Sequence, residues 1–213
     1  MIANLALVLI MLCNFDLLGA TRLHHLIRTM AFQGLLLSLL PLLVPHDEPW
    51  FRLGALVAGT IFVKCYFIPS SLLRALERVR IRLEVEPYIS PMTSLFLCGL
   101  GTFGAISVAN VLPLMPDHAG TLIVPASLST VFTGFLLLVS RRKAITQVVG
   151  YVVLENGIYL FGLLLLGSMP VAIETGVLLD LLAGILVMGV IINHIQREFS
   201  SLDVGRLSAL KEE

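Results

Sequence analysis

Seven long apolar stretches constrain what this chain can fold into: residues 1–20, 29–45, 50–69, 92–115, 120–140, 145–167 and 171–195. A helix rising 1.5 Å per residue needs about 20 mostly apolar residues to cross a hydrocarbon core about 30 Å thick. Within lipid every backbone N–H and C=O is satisfied inside its own segment, so stretches of this length are predicted to be helices. The second is the shortest, and Pro41 and Pro45 predict that its helix stops early. Connections are mostly short, which favours antiparallel packing of sequence neighbours. The expected fold class is all-α, a polytopic membrane protein of about seven transmembrane helices.

Composition excludes the main alternative. The chain is 57% hydrophobic and 13% charged, with a mean hydropathy of +0.96. A soluble domain carries about 25% charged residues, and half that density does not cover a water-facing surface. The formal net charge is zero, so the total points to no acidic or basic partner and to no nucleic acid. Cys13, Cys65 and Cys98 each stand alone in an apolar stretch, without CxxC or Cys/His spacing. No metal site or iron–sulfur cluster is expected from them. The first apolar run has no Lys or Arg ahead of it, which makes it a retained span rather than a signal peptide.

The basic residues set the expected orientation. Arg22 and Arg28 follow the first span; Arg74, Arg78, Arg80 and Arg82 follow the third. Arg141, Arg142 and Lys143 follow the fifth, and Arg197, Arg206 and Lys211 the seventh. The alternate loops hold Asp47, Glu48 and Asp117, with Arg52 the exception. The positive-inside rule then places the N-terminus outside and the C-terminus in the cytoplasm. The loop 70–91 reads two ways. Leu72, Leu73, Leu76, Val79 and Leu83 recur at helical spacing, whereas Val79, Ile81, Leu83 and Val85 alternate with charges as in a strand. It is either an extension of the third helix ending before Pro87 or a docking element for a cytoplasmic partner. Near the C-terminus, Asp203 is placed to cap a short helix.

Chemistry is sought among ionisable residues inside the spans, because a charge at the centre of a membrane helix costs about 2.5–3.5 kcal/mol even on the insertion scale. These are Asp16, Lys64, Glu155, Glu174 and Asp180. Glu155 and Asp180 both fall near mid-bilayer, on helices joined by a tight turn at residues 168–170, so a shared polar seam is expected. Gly176 and Gly184, one turn either side of Asp180, would let a neighbouring helix come close. Lys64 lies near the inner end of the third span and is buried more deeply if that helix continues inward. Glu174 sits near the outer end of its span, and Asp16 reads as a solvated helix terminus. His24, His25, His46 and His118 fall in loops; His194, beside Asn193 and Arg197, is a candidate cytoplasmic proton-entrance group.

Several segments resemble a known family. GlyTyrValValLeuGluAsnGlyIleTyrLeu (150–160) after ArgArgLys (141–143), GluThrGlyValLeuLeuAsp (174–180), LeuAspValGlyArgLeuSerAlaLeuLys (202–211) and PheValLysCysTyrPheIlePro (62–69) are similar to hydrogenase-4 component E, a membrane component of formate hydrogenlyase-type hydrogenases. The last three spans also look like the three-helix K-type subunit of complex I and the C subunit of Mrp antiporters. There the paired acids would correspond to Glu155 and Asp180, with Asp standing where that pattern has Glu. The basic loop also sits about a turn farther from Glu155 than in that pattern.

The resemblance implies a four-helix region (1–115), a K-type three-helix region (116–199) and a cytoplasmic tail (200–213). It implies a non-catalytic subunit, without cofactor, of a group 4 NiFe-hydrogenase complex in the cytoplasmic membrane of a bacterium or archaeon. Partners would be antiporter-like and quinone-site-like membrane subunits and a cytoplasmic NiFe-hydrogenase arm. Glu155 and Asp180 would relay protons along a buried hydrophilic axis, with Lys64 stabilising their carboxylates and Glu174 and His194 at its margins. An Mrp-type antiporter subunit and an assembly scaffold with purely structural acids are the other two readings.

Overall fold

The computed structural model describes residues 2–43, 50–78, 85, 88–112, 121–163, 184 and 189. Its helices are α1 (Ile2–Gly19), α2 (Leu23–Leu39), α3 (Trp50–Ile61), α4 (Ile68–Arg78), α5 (Pro91–Val111), α6 (Ile123–Ser140) and α7 (Ala144–Gly162). A π-helical stretch, Phe62–Phe67, joins α3 to α4 without a break. Six helical segments among the described residues are long and apolar enough to cross a membrane. Of the expected seventh span, 171–195, only Gly184 and Gly189 are described, and both are helical. The tail around Asp203 lies outside the described residues.

Sequence chemistry accounts for the ends. The α2 helix closes in a 3-10 turn, Leu40–Leu42, with Pro41 inside it. Its start, however, is Leu23 rather than residue 29. His24, His25 and Arg28 lower the hydropathy of that first turn and a half, but at a membrane surface they are compatible with helix. In α5 the Ser90 hydroxyl accepts the Thr93 backbone N–H at 3.2 Å and Pro91 takes the first helical position, an N-terminus that satisfies an otherwise orphaned donor.

The helix of the third span runs on past residue 69, as far as Arg78. Pro69 has no N–H to offer and its ring crowds the carbonyl four residues back. The widened π turn just upstream, in which the Ile68 N–H reaches the Val63 carbonyl, takes up that misfit. Farther along, Val85 and residues 88–90 are described and belong to no helix. The Val85 N–H donates to the Thr21 carbonyl at 2.9 Å and the Tyr88 N–H to the Ser140 carbonyl at 2.8 Å. This stretch thus docks on the ends of α1 and α6 in its own chain.

The most extensive helix contact among the described residues is α6 against α7. Glycines create it. A Cβ at Gly134 would collide with the Leu154 backbone; one at Gly150 would lie 2.8 Å from the Leu138 N, and one at Gly157 2.5 Å from the Val131 N. Such close backbone approach is how helices associate in lipid, where hydrophobic burial supplies little drive. Helices α1 and α5 pack on α6, and α2 packs on α7 and on the π-helical segment. At one end of the bundle Arg141, fully buried, donates from Nη2 to the Leu18 carbonyl at 2.7 Å. It thereby caps the last turn of α1.

Candidate functional site: a buried polar ladder ending on Lys64

Four helices and the π-helical turn each send one polar side chain to the same level of the interior. Lys64 Nζ donates to Asn156 Oδ1 at 2.8 Å. Asn156 Nδ2 donates to Gln33 Oε1 at 3.3 Å, and Gln33 Nε2 to Asn14 Oδ1 at 2.8 Å. Asn14 Nδ2 reaches Thr130 Oγ1 at 3.0 Å, and that hydroxyl donates to the Ala126 carbonyl at 2.7 Å. All five side chains are at most 3% exposed.

The direction of this ladder follows from its cationic end. An ammonium has donors and no acceptor, so Asn156 turns its oxygen to Lys64 and its nitrogen away. That orientation dictates Gln33, then Asn14, then Thr130. Every dipole therefore presents its negative end toward Lys64. The sequence leaves room for this: Gly34 lies against the lysine stem, and a Cβ there would stand 3.0 Å from Lys64 Cβ. The ammonium also lies 4.7 Å from the Tyr159 ring centroid, a cation–π contact on the same helix as Asn156. Amides hold their protons and carbonyls in fixed roles, so the ladder orients and stabilises a charge rather than carrying protons itself.

Glu155 is 3% exposed. It precedes Asn156 directly and stands one turn before Tyr159, hence on the same face of α7 as the ring beneath Lys64. The structure thus brings Lys64 onto the α7 segment that carries Glu155. A Cβ at Gly184 would lie 3.6 Å from the Phe67 ring, so Gly184 stands close to the π turn of Lys64. Asp180, Glu174 and His194 lie outside the described residues. Asp16 accepts a hydrogen bond from Thr29 Oγ1 at 2.6 Å and pairs with His25 Nε2 at 2.9 Å, both on α2. His25, expected to be simply solvated, therefore has a defined partner.

Asn14, Gln33 and Thr130 carry no charge and were not among the residues expected from the sequence. The available signal was an uncharged amide in the middle of each of the first two spans, which costs free energy in hydrocarbon unless hydrogen-bonded. Nor was the burial of Arg141 expected. Burial pulls its guanidinium below the ordinary value, yet an arginine stays charged under physiological conditions.

These features define a class: a multi-pass helical membrane protein whose interior holds a lysine-terminated polar ladder. Its relatives narrow the class. The chain is 27% identical to an uncharacterized protein of Mycobacterium tuberculosis (Rv0085), over 193 residues covering 89% of this chain and 87% of the relative. It is 37% identical over 78 residues to Hydrogenase-4 component E of Escherichia coli K12, and to the same extent to that of Shigella flexneri. That match spans 37% of this chain and 36% of the relative's length, and it marks a distant relationship. No protein-family model and no solved structure matches the chain.

Proposed function

We propose that this chain is a membrane-arm subunit of a group 4 NiFe-hydrogenase complex of the formate hydrogenlyase kind, and that Lys64 and Glu155 belong to a buried hydrophilic axis coupling hydrogen chemistry to ion movement. The observation that carries the reading is a lysine ammonium held in the bundle interior by a one-way ladder of amides, with a buried glutamate one residue before its Asn156 acceptor, in a chain distantly related to Hydrogenase-4 component E. Three aligned amides and a hydroxyl stabilise the cation, an arrangement of use where a fixed charge has to bias a neighbouring carboxyl.

In this reading electrons stay in partner subunits. Glu155 takes up and releases a proton, and Asp180 continues the path, in keeping with the resemblance to K-type and Mrp C subunits and with the approach of Gly184 to Phe67. The chain would sit in the cytoplasmic membrane with its basic loops inside, alongside antiporter-like and quinone-site-like subunits and a cytoplasmic hydrogenase arm. Glu174 and His194 would lie at the ends of the path.

Affinity isolation of the tagged chain from its native membrane tests the assignment. Co-isolation of a NiFe large subunit with antiporter-like membrane subunits is expected. Antiporter-like subunits without any NiFe subunit would establish the Mrp-type reading instead.

A further inference from the structure

A second feature lies on the outer face of the bundle. Between α1 and α2 runs a groove of about 460 Å³, lined by Leu9, Leu12, Cys13 and Asp16 on one side and His25, Arg28, Thr29 and Phe32 on the other. Its two ends differ in chemistry. Asp16 lies three residues before the end of α1, about 4.5 Å along the axis, at the end of the bundle where Arg141 caps the same helix. Leu9, Leu12 and Phe32 stand one to two turns deeper, and Leu12 and Phe32 are 58% and 48% exposed. In a membrane the polar end falls at headgroup level and the apolar end among acyl chains.

The polar end carries both signs of charge. Asp16 is held in place by Thr29 and His25, which use only part of a carboxylate's capacity of about four acceptor positions. Arg28 is exposed. It lines the same groove as Asp16, whose ion pair is with His25 and not with Arg28. A cation and an anion standing apart in one groove complement a zwitterion, not a simple anion.

We propose that this groove binds phosphatidylethanolamine, with the lipid phosphate on Arg28, its ammonium on Asp16 and an acyl chain along Leu9, Leu12 and Phe32. A guanidinium takes phosphate oxygens in a forked pair. A primary ammonium donates to a carboxylate, which the quaternary ammonium of phosphatidylcholine cannot do. Phosphatidylglycerol offers Arg28 the same phosphate but brings net negative charge toward Asp16.

The test is native mass spectrometry of the full chain released from nanodiscs holding equal amounts of phosphatidylethanolamine, phosphatidylglycerol and phosphatidylcholine. The wild type is expected to retain phosphatidylethanolamine about tenfold over phosphatidylcholine, a ratio equal to about 1.4 kcal/mol. Asp16→Asn should abolish that ratio. Arg28→Gln, which removes an exposed side chain and leaves the helix contacts intact, should lower retention of all three lipids. Equal retention of phosphatidylethanolamine and phosphatidylcholine by the wild type would overturn the proposal, as would preference for phosphatidylglycerol or a ratio unchanged in Asp16→Asn. If Asp16→Asn fails to assemble, the wild-type ratio and Arg28→Gln still decide.

Discussion

At the scale of single residues, the ladder makes Gln33 the most consequential neutral side chain in the interior. Replacing it with Leu would strip the acceptor from Asn156 Nδ2 and the donor from Asn14 Oδ1. Each buried group left unsatisfied costs about 1–3 kcal/mol, so Gln33→Leu should lower the melting temperature of the purified protein clearly. Removing Asn14 as well should cost less than the sum of the two single changes, because the second removes a group already orphaned by the first. A double-mutant cycle with Asn14→Leu would measure that coupling at about 0.5–3 kcal/mol. Strict additivity would mean that the ladder is not one unit. Charges announce themselves in an apolar sequence, and Lys64 and Glu155 were legible for that reason. Asn14, Gln33 and Thr130 were not, because their significance comes from meeting one another, Asn14 with Gln33 at a separation of 19 residues and with Thr130 at 116. Arg141 was hidden for the converse reason: the positive-inside pattern identifies the end of the bundle but not which basic side chain turns inward to a helix terminus.

Between elements, the α6–α7 contact determines where Asn156 stands. Gly157 follows Asn156 directly and faces the backbone of Val131 at a distance that no side chain fits. Gly157→Ala would press a Cβ onto backbone that cannot move aside, an overpacking cost of about 1–3 kcal/mol, and would displace Asn156 from Lys64. Gly104, on the least buried helix, α5, meets nothing within 4 Å. Gly104→Ala should therefore be neutral or stabilising, by up to about 1 kcal/mol from helix propensity. Thermal unfolding of the two variants side by side checks the contrast; equal behaviour would show that α6 and α7 are not held by glycine contact. The helices themselves were largely legible, since a run of about 20 apolar residues admits little else in lipid. Ends were less so. The α2 helix begins ahead of its apolar run because polar residues at a membrane surface lower hydropathy without ending a helix. The widening at Phe62–Phe67 depends on how Pro69 is accommodated three-dimensionally, which no periodicity reveals.

For the whole molecule, the docking of Val85 and Tyr88 on the ends of α1 and α6 ties three loops into one face. The Arg142 guanidinium stacks over the Tyr88 ring at 4.6 Å on that face. With Arg22, Arg141, Arg142 and Lys143 in the loops that meet there, this face is expected in the cytoplasm and residues 46–49 outside. In a background lacking the three native cysteines, an impermeant thiol reagent applied to intact cells should label Asp47→Cys and spare Tyr88→Cys. Labelling at position 88 from outside would invert the topology and with it the direction of the proposed proton path.

In the proposed function Glu155 exchanges protons in coupling and does more than fix helix register. Gln is nearly isosteric with Glu and still forms hydrogen bonds, so Glu155→Gln removes the proton site without opening a cavity. Moving one charge across the membrane is worth about 2.3 kcal/mol per 100 mV, so if Glu155 is the relay group proposed above, its loss should uncouple the complex. The measurement is hydrogen evolution and ion translocation, followed together in the same membrane vesicles carrying Glu155→Gln. The complex is expected to assemble and still reduce protons with an artificial electron donor, while its translocation falls strongly. Translocation at the wild-type level, in that variant and in its combination with Asp180→Asn, would contradict the proposed function and leave the acids as structural elements of a scaffold.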